Sequence, residues 1–315
     1  MIDSEKRYAI ILGSTKCGTT SVFEYLKGHP QVNQSKIKEL NFFIPDEDLS
    51  RFSVFDERMT PSFYTGNSEY IDQFSTNDGG KVYVEASPNY VHIRKSMEVI
   101  ARELKNLDVF YFLRLPSARF FSHFNFAKQI NRIPQELTLK EFYDIQIRSF
   151  DDPEWETAPF YRCALLCCSY DKFIADALAL FPRERVHIRF FEDLVARPRV
   201  FMRDVCDILQ IDANYYDDYK FAAHNVTQRP RSPLIHQLVM GFRNKIYVPV
   251  KTRFKLEKYA SIPRSFFRLY KQLNLVISRS TVGSQDFAKM HELRKLDQIQ
   301  TSVLKDRYGL SPPWE

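Results

Sequence analysis

Glycine is scarce in this sequence, with only nine glycines among 315 residues. So low a content excludes a collagen-like repeat or a glycine-rich low-complexity chain. Three of the nine, Gly13, Gly18 and Gly28, fall close together near the N-terminus. Because hydrophobic residues make up 44% of the chain and charged residues 27%, the composition is that of an ordinary globular protein with a sizeable core.

Cysteine and long apolar runs are also infrequent. The five cysteines are too few for a disulfide scaffold, and their odd number predicts reduced thiols in the cytoplasm. Cys163, Cys167 and Cys168 have no partner pair at zinc-finger spacing, so we interpret them as buried thiols and expect no metal. No run approaches the ~18 apolar residues of a membrane-spanning helix. The first run, 8–12, has strand length, so we expect no secretion signal and no transmembrane segment.

Apolar runs of strand length alternate with helical patterns along the chain. Residues 8–12 and 109–113 are continuous apolar runs, which are typical of parallel strands buried on both faces. Further strands are expected at 81–84 and 185–190, and helices at 95–105, 117–128, 169–180 and 198–210. This alternation predicts an α/β fold with a central parallel sheet flanked by helices.

Residues 13–20, Gly-Ser-Thr-Lys-Cys-Gly-Thr-Thr, follow the first strand and open a helix. In that context backbone N–H groups and the helix N-terminus favour a phosphate. Lys16 adds a mobile positive charge, and Thr19 and Thr20 add hydroxyl donors. A Walker A loop would place lysine directly after the second glycine, so the pattern predicts a P-loop-like nucleotide-binding architecture of a different kind, with a plain strand–helix turn as the alternative.

The segment 11–30 resembles the 5′-phosphosulfate-binding loop of sulfotransferases that use 3′-phosphoadenosine-5′-phosphosulfate (PAPS). The resemblance is to the heparan-sulfate-type and bacterial carbohydrate or natural-product branch, in which Lys-x-Gly-Thr-Thr precedes a helix ending in His-Pro. It implies PAPS as cofactor, 3′,5′-adenosine bisphosphate (PAP) as product, and no metal. The residues it assigns to cofactor binding here are Ser14, Thr15, Lys16, Cys17, Gly18, Thr19 and Thr20.

A second motif follows the second apolar strand. Residues 114–122, Arg-Leu-Pro-Ser-Ala-Arg-Phe-Phe-Ser, are similar to the family's 3′-phosphate motif, Arg-x-Pro-x-x-Arg-x-x-Ser. An arginine at the carboxyl end of a parallel strand lies where such sheets bind ligands, and its guanidinium can hold a phosphate bidentately. The resemblance therefore assigns Arg114 and Ser122 to the cofactor, whereas Arg119 is either a ligand or structural.

Residues 38–43, Lys-Glu-Leu-Asn-Phe-Phe, resemble the family's Lys-Glu-x-x-Phe-Phe segment, whose glutamate is the general base. Sulfuryl transfer needs a base near the acceptor proton and cations near the departing oxygen. The resemblance makes Glu39 and Lys16 the catalytic residues and places Glu39 and Asn41 at the acceptor. We expect direct, in-line transfer.

Residues 84–90, Val-Glu-Ala-Ser-Pro-Asn-Tyr, resemble the family's Glu-Lys-Ser/Thr-Pro-x-Tyr segment. The chain departs from that pattern at Ala86, where the heparan-type enzymes carry a lysine. This departure weakens the case for heparan and favours a smaller acceptor. Glu85 either helps to position that acceptor or pairs with a basic neighbour.

We expect residues 1–315 to form a single domain. Segments 44–80 and 131–160 are less regular and richer in polar and aromatic residues, so we interpret them as acceptor-side insertions. Segment 229–279 is strongly basic, with twelve Lys or Arg residues and one acid. We expect it to be mostly helical.

The start of the basic segment resembles the family's loop that closes over the nucleotide, which adds Arg229 and Arg231 as cofactor contacts. The rest of 229–279 is interpreted as a cationic wall that attracts the cofactor or an acidic acceptor. A solvated pair of amphipathic helices is the alternative.

The ordered set Lys16, Glu39, Arg114 and Ser122 predicts a PAPS-dependent sulfotransferase. Its acceptor is expected to be a hydroxyl, or less readily a nitrogen, of a sugar or small natural product, and nucleic acid is not expected as a partner. One alternative is a P-loop kinase using ATP, which the displaced lysine opposes. The other is a non-enzymatic binder of anionic surfaces through 229–279. The oligomeric state stays open.

Overall fold

The structure is a computed structural model, and the residues that it describes form several separate stretches. They are residues 5–45, 70–150, 164–222, 228–242, 266, 269–270, 273–277 and 290–314. The strands among them are β1 (Arg7–Gly13), β2 (Val32–Gln34), β3 (Val82–Ala86), β4 (Leu107–Leu113), β5 (Val186–Phe190), β6 (Gln228–Pro230) and β7 (Leu275–Ile277). The helices are α1 (Thr19–Leu26), α2 (Arg94–Glu103), α3 (Pro116–Gln129), α4 (Leu139–Phe150), α5 (Tyr170–Leu180), α6 (Phe191–Ala196), α7 (Pro198–Leu209), α8 (Pro233–Phe242) and α9 (His291–Tyr308).

Five parallel strands form the central sheet in the order β2-β3-β1-β4-β5. The two central strands, β1 and β4, are buried along their whole length apart from the partly exposed Arg7. Helices cover both faces of the sheet, which is why these strands are continuous apolar runs in the sequence. The prediction of an α/β fold with a central parallel sheet is confirmed.

The side chains of β1 alternate between the two faces, as the pleat of a strand requires. Ile10 and Leu12 pack in the core beneath α2 and α5. Ala9 and Ile11 pack in the core on the opposite face, against α1 and α7. Helices packed on both faces of the sheet therefore fix the position of the end of β1 and the direction in which the next loop begins.

The chain leaves β1 toward one edge of the sheet and leaves β4 toward the other. Such a reversal creates a crevice at the carboxyl ends of the two neighbouring strands, where open α/β sheets bind ligands. The loop 13–18 follows β1, and the turn 114–117 follows β4. The fold thus brings the two predicted phosphate motifs to one crevice.

The predicted insertions are described only in part, since residues 46–69 and 151–163 lie outside the described residues. The described portion of 131–160 contains α4, whose Leu139 and Phe142 are buried against α3. This portion is therefore a regular helix that contributes to the core. The acceptor-side role of both insertions stays a prediction.

The basic segment 229–279 is likewise described in part. It contains α8 together with two short strands, because β6 and β7 pair antiparallel with Arg229 opposite Val276. The described portion is thus a mixture of helix and strand. Residues 243–265 lie outside the described residues.

Four cysteines, Cys17, Cys167, Cys168 and Cys206, are buried free thiols, as the sequence predicts, and Cys163 lies outside the described residues. Among the helices of the described ranges, none has both the length and the apolar character that crossing a bilayer requires.

Asp108 on β4 ties two arginines and a histidine to the sheet. Its Oδ2 accepts hydrogen bonds from Arg7 Nη2 at 2.8 Å and Arg185 Nη1 at 3.1 Å, and its Oδ1 lies 2.9 Å from His187 Nε2. Burial raises the pKa of Asp108, but the bonds from His187 and Arg7 outweigh that effect and hold the pKa below its ordinary value.

We expect Asp108→Ala to lower the free energy of unfolding by about 1.5–3 kcal/mol, because it removes a buried carboxylate that accepts charge-assisted hydrogen bonds from the partly buried Arg7. Urea denaturation measures this, and the exposed Asp144→Ala is the control that should change little. Since the folded pKa is the lower one, the stabilisation by Asp108 exists above the unfolded value of about 4 and is lost as the pH falls through the folded pKa. Equal midpoints for the two variants would contradict the prediction.

Candidate active site

The loop after β1 has the backbone shape of an anion-binding nest. Lys16 has φ +68° and Gly18 has φ +83°, so left-handed residues flank Cys17. Gly18 is required here, because a Cβ at that position would lie 2.8 Å from the ring of Phe191. The helix α1 begins at Thr19, directly after the loop, which aims its positive end at the same place.

Arg119 on α3 holds this loop from below. Its fully buried guanidinium donates from Nε to Ser14 Oγ at 3.1 Å and from Nη2 to Thr15 Oγ1 at 2.9 Å. Its Nη1 donates to the carbonyl oxygen of Ala164 at 3.0 Å. Of the two roles open for Arg119, these contacts favour the structural one.

Cys17 is a packing residue within the loop. Its side chain is fully buried, and burial raises the pKa of the thiol to about 12, so the thiol stays neutral. The Cys17 N–H donates to Ser14 O at 3.3 Å. Thr19 is buried and Thr20 partly buried in the first turn of α1, where hydroxyl donors border the nest.

Arg114 joins the second motif to the first. Its Nη1 donates to the Lys16 carbonyl oxygen at 3.3 Å, and its guanidinium lies 4.5 Å from the ring centroid of Phe191. Ser122 is partly buried on α3, one turn after Arg119, and so it shares the helix face that meets the loop. The structure therefore brings Arg114 and the phosphate loop together.

Lys16 is the centre of an excess of positive charge. Burial, together with the nearby Arg114, Lys38 and Arg119, lowers its pKa to about 8, although the Glu39 carboxylate opposes that shift. Among the described residues that act on Lys16, the cations therefore outnumber the acid that opposes them. That imbalance suits a ligand with several negative charges, such as a nucleotide with phosphates at both ends.

Glu39 lies beside Lys16 in a loop with an unusual backbone. Glu39 has φ +63° and Asn41 has φ +51°, conformations that non-glycine residues rarely adopt and that surrounding contacts must hold. The Glu39 N–H donates to Ala86 O at 2.9 Å, and the Asn41 N–H donates to Ser87 Oγ at 3.0 Å. The Glu39 carboxylate pairs with Lys38 and is 28% exposed, so it faces the crevice opening.

The side chain of Asn41 supports this loop through its Nδ2, and its Oδ1 is an acceptor with no hydrogen-bond partner in the part of the chain that the structure describes. Its Nδ2 donates to the Glu39 carbonyl oxygen at 3.0 Å. Its Oδ1 is buried and has no hydrogen-bond partner among the described residues. A buried, unpaired acceptor next to Glu39 is a position where a ligand hydroxyl would find a partner.

Glu85 is enclosed by hydroxyl groups. Its carboxylate is fully buried and accepts from Tyr70 Oη at 2.7 Å, Ser87 Oγ at 2.5 Å and Tyr90 Oη at 2.9 Å. Burial raises the pKa of Glu85, while these three hydroxyls lower it in part. Among the described residues, its hydrogen-bond partners are these hydroxyls, and its assignment to the acceptor stays a prediction. Because Ser87 also accepts from the Asn41 N–H, Glu85 supports the Glu39 loop from behind.

The arginines of the late loop are less closely tied to the crevice. The side chain of Arg229 lies outside the described residues. Arg231 is exposed, and its backbone N–H donates to Asn274 O at 2.7 Å. The cofactor contacts assigned to Arg229 and Arg231 stay predictions.

Three residues that hold the site were not among the predicted site residues. Lys38 contacts Glu39 directly. Its position next to that glutamate in the sequence was the signal that could have identified it as a site residue. Glu192 Oε1 accepts from the Leu115 N–H at 3.0 Å, and Tyr170 Oη donates to the Arg114 carbonyl oxygen at 2.6 Å. Both reach the Arg114 turn from distant parts of the chain, for which the sequence offers no local signal.

Fold and crevice together define an α/β protein with a nest-shaped loop in contact with an arginine at the carboxyl edge of its sheet. The family model of the sulfotransferase domain matches residues 6–230. The chain therefore belongs to the sulfotransferase family, and the resemblance noted in its motifs is confirmed.

Curated relatives and a solved structure are similar to this chain. The membrane-associated sulfotransferase kil1 of Dictyostelium discoideum is 27% identical over 124 residues, which are 38% of this chain and 23% of the relative. The mouse heparan sulfate glucosamine 3-O-sulfotransferase 5 is 24% identical over 190 residues, which are 60% of this chain and 49% of the relative. The chain thus spans about half of these curated relatives at most. A sulfotransferase crystal structure from Alicyclobacillus acidocaldarius shares the fold, with a TM-score of 0.53, 23% identity, and coverage of 77% of this chain and 94% of the other.

Proposed function

We propose that this protein transfers the sulfuryl group of PAPS to a hydroxyl of a small-molecule or sugar acceptor. The observation that carries the proposal is that the Arg114 turn contacts the Lys16 loop, with Arg114 Nη1 donating to the Lys16 carbonyl oxygen at 3.3 Å, while the partly exposed Glu39 carboxylate pairs with Lys38. Two cations from separate motifs, Lys16 after β1 and Arg114 after β4, suit a nucleotide with two phosphates, and one partly exposed acid suits a base. Family membership supports the same assignment.

The residues present fit the nucleotide at both of its charged ends. The Lys16 ammonium, the hydroxyls of Thr19 and Thr20 and the positive end of α1 would hold the phosphosulfate. Arg114 and Ser122 would hold the 3′-phosphate at the carboxyl end of β4. Arg229 and Arg231 would close over the nucleotide from the late loop.

The chemistry would be a single in-line displacement at sulfur. The acceptor oxygen forms a bond to sulfur as the bond from sulfur to the bridging phosphate oxygen breaks. Glu39 takes the proton from the acceptor hydroxyl. Lys16 stabilises the negative charge that develops on the departing phosphate, and Asn41 Oδ1 accepts a hydrogen bond from the acceptor.

A sugar or small natural product is the acceptor that we propose, with a nitrogen acceptor less favoured. Ala86 at the end of β3 leaves the crevice without the lysine that heparan-type enzymes carry in this motif. Reaction in the cytoplasm, where the buried thiols stay reduced, fits the four free cysteines of the described residues.

Calorimetric titration with PAP tests the proposal without knowledge of the acceptor. We expect binding to the wild-type chain and much weaker binding to Lys16→Ala and Arg114→Ala. The matched control is Lys172→Ala, an exposed lysine on α5, which should bind as wild type does. No binding to the wild-type chain, or unchanged binding in both crevice variants, would refute the proposal. A need for ATP and magnesium would instead favour a kinase.

The pH dependence of PAP affinity should report on Lys16. Burial and its cationic neighbours lower the Lys16 pKa to about 8, and a bound phosphate would favour the protonated ammonium. As the pH rises above about 8, the free protein must take up a proton to bind, so Kd should rise by up to tenfold per pH unit. Calorimetry between neutral and alkaline pH measures this, and Lys16→Arg should flatten the profile, because a guanidinium stays protonated. A flat wild-type profile would contradict the prediction.

A further inference from the structure

The C-terminal segment, residues 290–314, lies beyond the residues 6–230 that the family model matches. It consists of α9 and a tail that ends near Trp314. α9 packs against α3 and α5, the helices that begin on either side of the Arg114 crevice. Its contacts therefore bear on the geometry of that crevice.

Two side chains of this segment control the turn between β4 and α3. Asp297 Oδ1 accepts from the Ser117 N–H at 2.8 Å. Trp314 Nε1 donates to Glu192 Oε2 at 2.9 Å, while the other oxygen of the same carboxylate, Oε1, accepts from the Leu115 N–H at 3.0 Å. The Leu115 and Ser117 N–H groups thus each donate to a distant carboxylate, and the C-terminal segment supplies or orients both.

A third chain of contacts ends on Arg114 itself. Gln300 Oε1 on α9 accepts from the Tyr170 N–H at 2.9 Å, and Tyr170 Oη donates to the Arg114 carbonyl oxygen at 2.6 Å. The ring of Trp314 packs on Tyr170 at 6.2 Å and on Phe190 at 5.5 Å between centroids. Gln300 is buried, so this contact is shielded from water.

These bonds replace partners that the turn lacks on its own. The first N–H groups of a helix have no partner within the helix, and Pro116 at the start of α3 has no N–H to donate. With the remaining groups fixed by side chains, the direction in which Arg114 leaves the sheet is fixed too. An anchor that must meet a phosphate within about 0.5 Å needs such support.

We infer that residues 290–314 are a positioning element for the 3′-phosphate anchor, acting through Asp297 and Trp314. The inference rests on the proposed function, since it takes Arg114 as a ligand of PAP. Asp297 and Trp314 touch no nucleotide; they set the geometry of the residue that does. Removing either contact should therefore weaken recognition of the 3′-phosphate and leave binding of the 5′-phosphate unchanged.

The test compares PAP with adenosine 5′-phosphate (AMP), which lacks the 3′-phosphate. We expect Trp314→Phe, which keeps a ring but deletes the N–H donor, and Asp297→Ala to raise the Kd for PAP roughly tenfold, the effect of one hydrogen bond. The Kd for AMP should stay unchanged. Asp297→Asn retains an acceptor oxygen and should rescue binding, and Arg307→Ala, which breaks an exposed ion pair between α9 and Asp171, is the matched control.

Hydrogen exchange at the Leu115 and Ser117 amides gives a second readout that needs no nucleotide. We expect faster exchange at Leu115 in Trp314→Phe and at Ser117 in Asp297→Ala, with neither change in Arg307→Ala. Equal weakening of PAP and AMP, or unchanged exchange at both amides, would overturn the inference. Failure of the wild-type chain to bind PAP would instead refute the proposed function, and the exchange data distinguish the two cases.

Discussion

Glu39→Gln should lower kcat for sulfuryl transfer by roughly 10²- to 10⁴-fold, the usual contribution of a positioned base, and leave PAP affinity unchanged. An amide has nearly the size of a carboxylate but cannot take up the acceptor proton. The loop should keep its shape, because the backbone N–H of Glu39 binds Ala86 O and its carbonyl oxygen accepts from Asn41. The substitution thus separates chemistry from folding and cofactor binding.

The measurement is single-turnover transfer of label from PAPS to an acceptor found by screening sugars and small natural products. Glu98→Gln removes an exposed carboxylate on α2 and should transfer at the wild-type rate. Glu39→Asp shortens the reach of the base, so its transfer rate should lie between those of Glu39→Gln and Glu98→Gln. Full activity in Glu39→Gln would exclude Glu39 as the base, and a loss of PAP binding would assign it to the cofactor.

The parts of the fold that the sequence predicts well are those whose burial is complete. Strands β1 and β4 have apolar side chains on both faces because helices cover both sides of the sheet, and the resulting runs at 8–12 and 109–113 are plain in the sequence. Strand β5 lies at an edge of the sheet, where most of its residues are partly exposed. For that reason its apolar run in the sequence is less continuous than those of β1 and β4.

The site was predictable where its residues are close in sequence to a strand end. Lys16 lies three residues after β1 and Arg114 directly after β4, and parallel strands bring their carboxyl ends to one edge. The contact of Arg114 with the Lys16 carbonyl oxygen follows from this topology. The roles of Arg119 and Glu85 did not follow, because hydrogen bonding decides them and a motif does not record it.

The supports of the site were beyond sequence reasoning for a different reason. Ser117 and Asp297 are 180 positions apart in the chain, and Glu192 and Trp314 are 122 apart. A single aspartate or tryptophan in a C-terminal helix or tail has no local pattern that points to a distant turn. Only the packing of α9 against α3 reveals the pairing.

Arg114→Ala should weaken PAP binding by roughly 10- to 100-fold and leave AMP binding almost unchanged. Hydrogen bonds to a charged group contribute about 1.5–3 kcal/mol, and a guanidinium can form two with one phosphate. AMP has no 3′-phosphate, so the arginine has nothing to hold in that complex. The phosphate loop still meets the 5′-phosphate of both nucleotides, because Arg119 holds that loop independently through Ser14 and Thr15.

Lys16→Ala should show the complementary pattern, because it should weaken the binding of PAP and the binding of AMP by similar factors. Calorimetry of two nucleotides against the wild-type chain and these two variants completes a cycle in which each phosphate is assigned to one cation. Arg114→Lys should recover part of the PAP affinity, because an ammonium keeps the charge but not the bidentate geometry. If Arg114→Ala weakened AMP as much as PAP, Arg114 would act on the 5′ end through its bond to the Lys16 carbonyl, and the 3′-phosphate would need another partner.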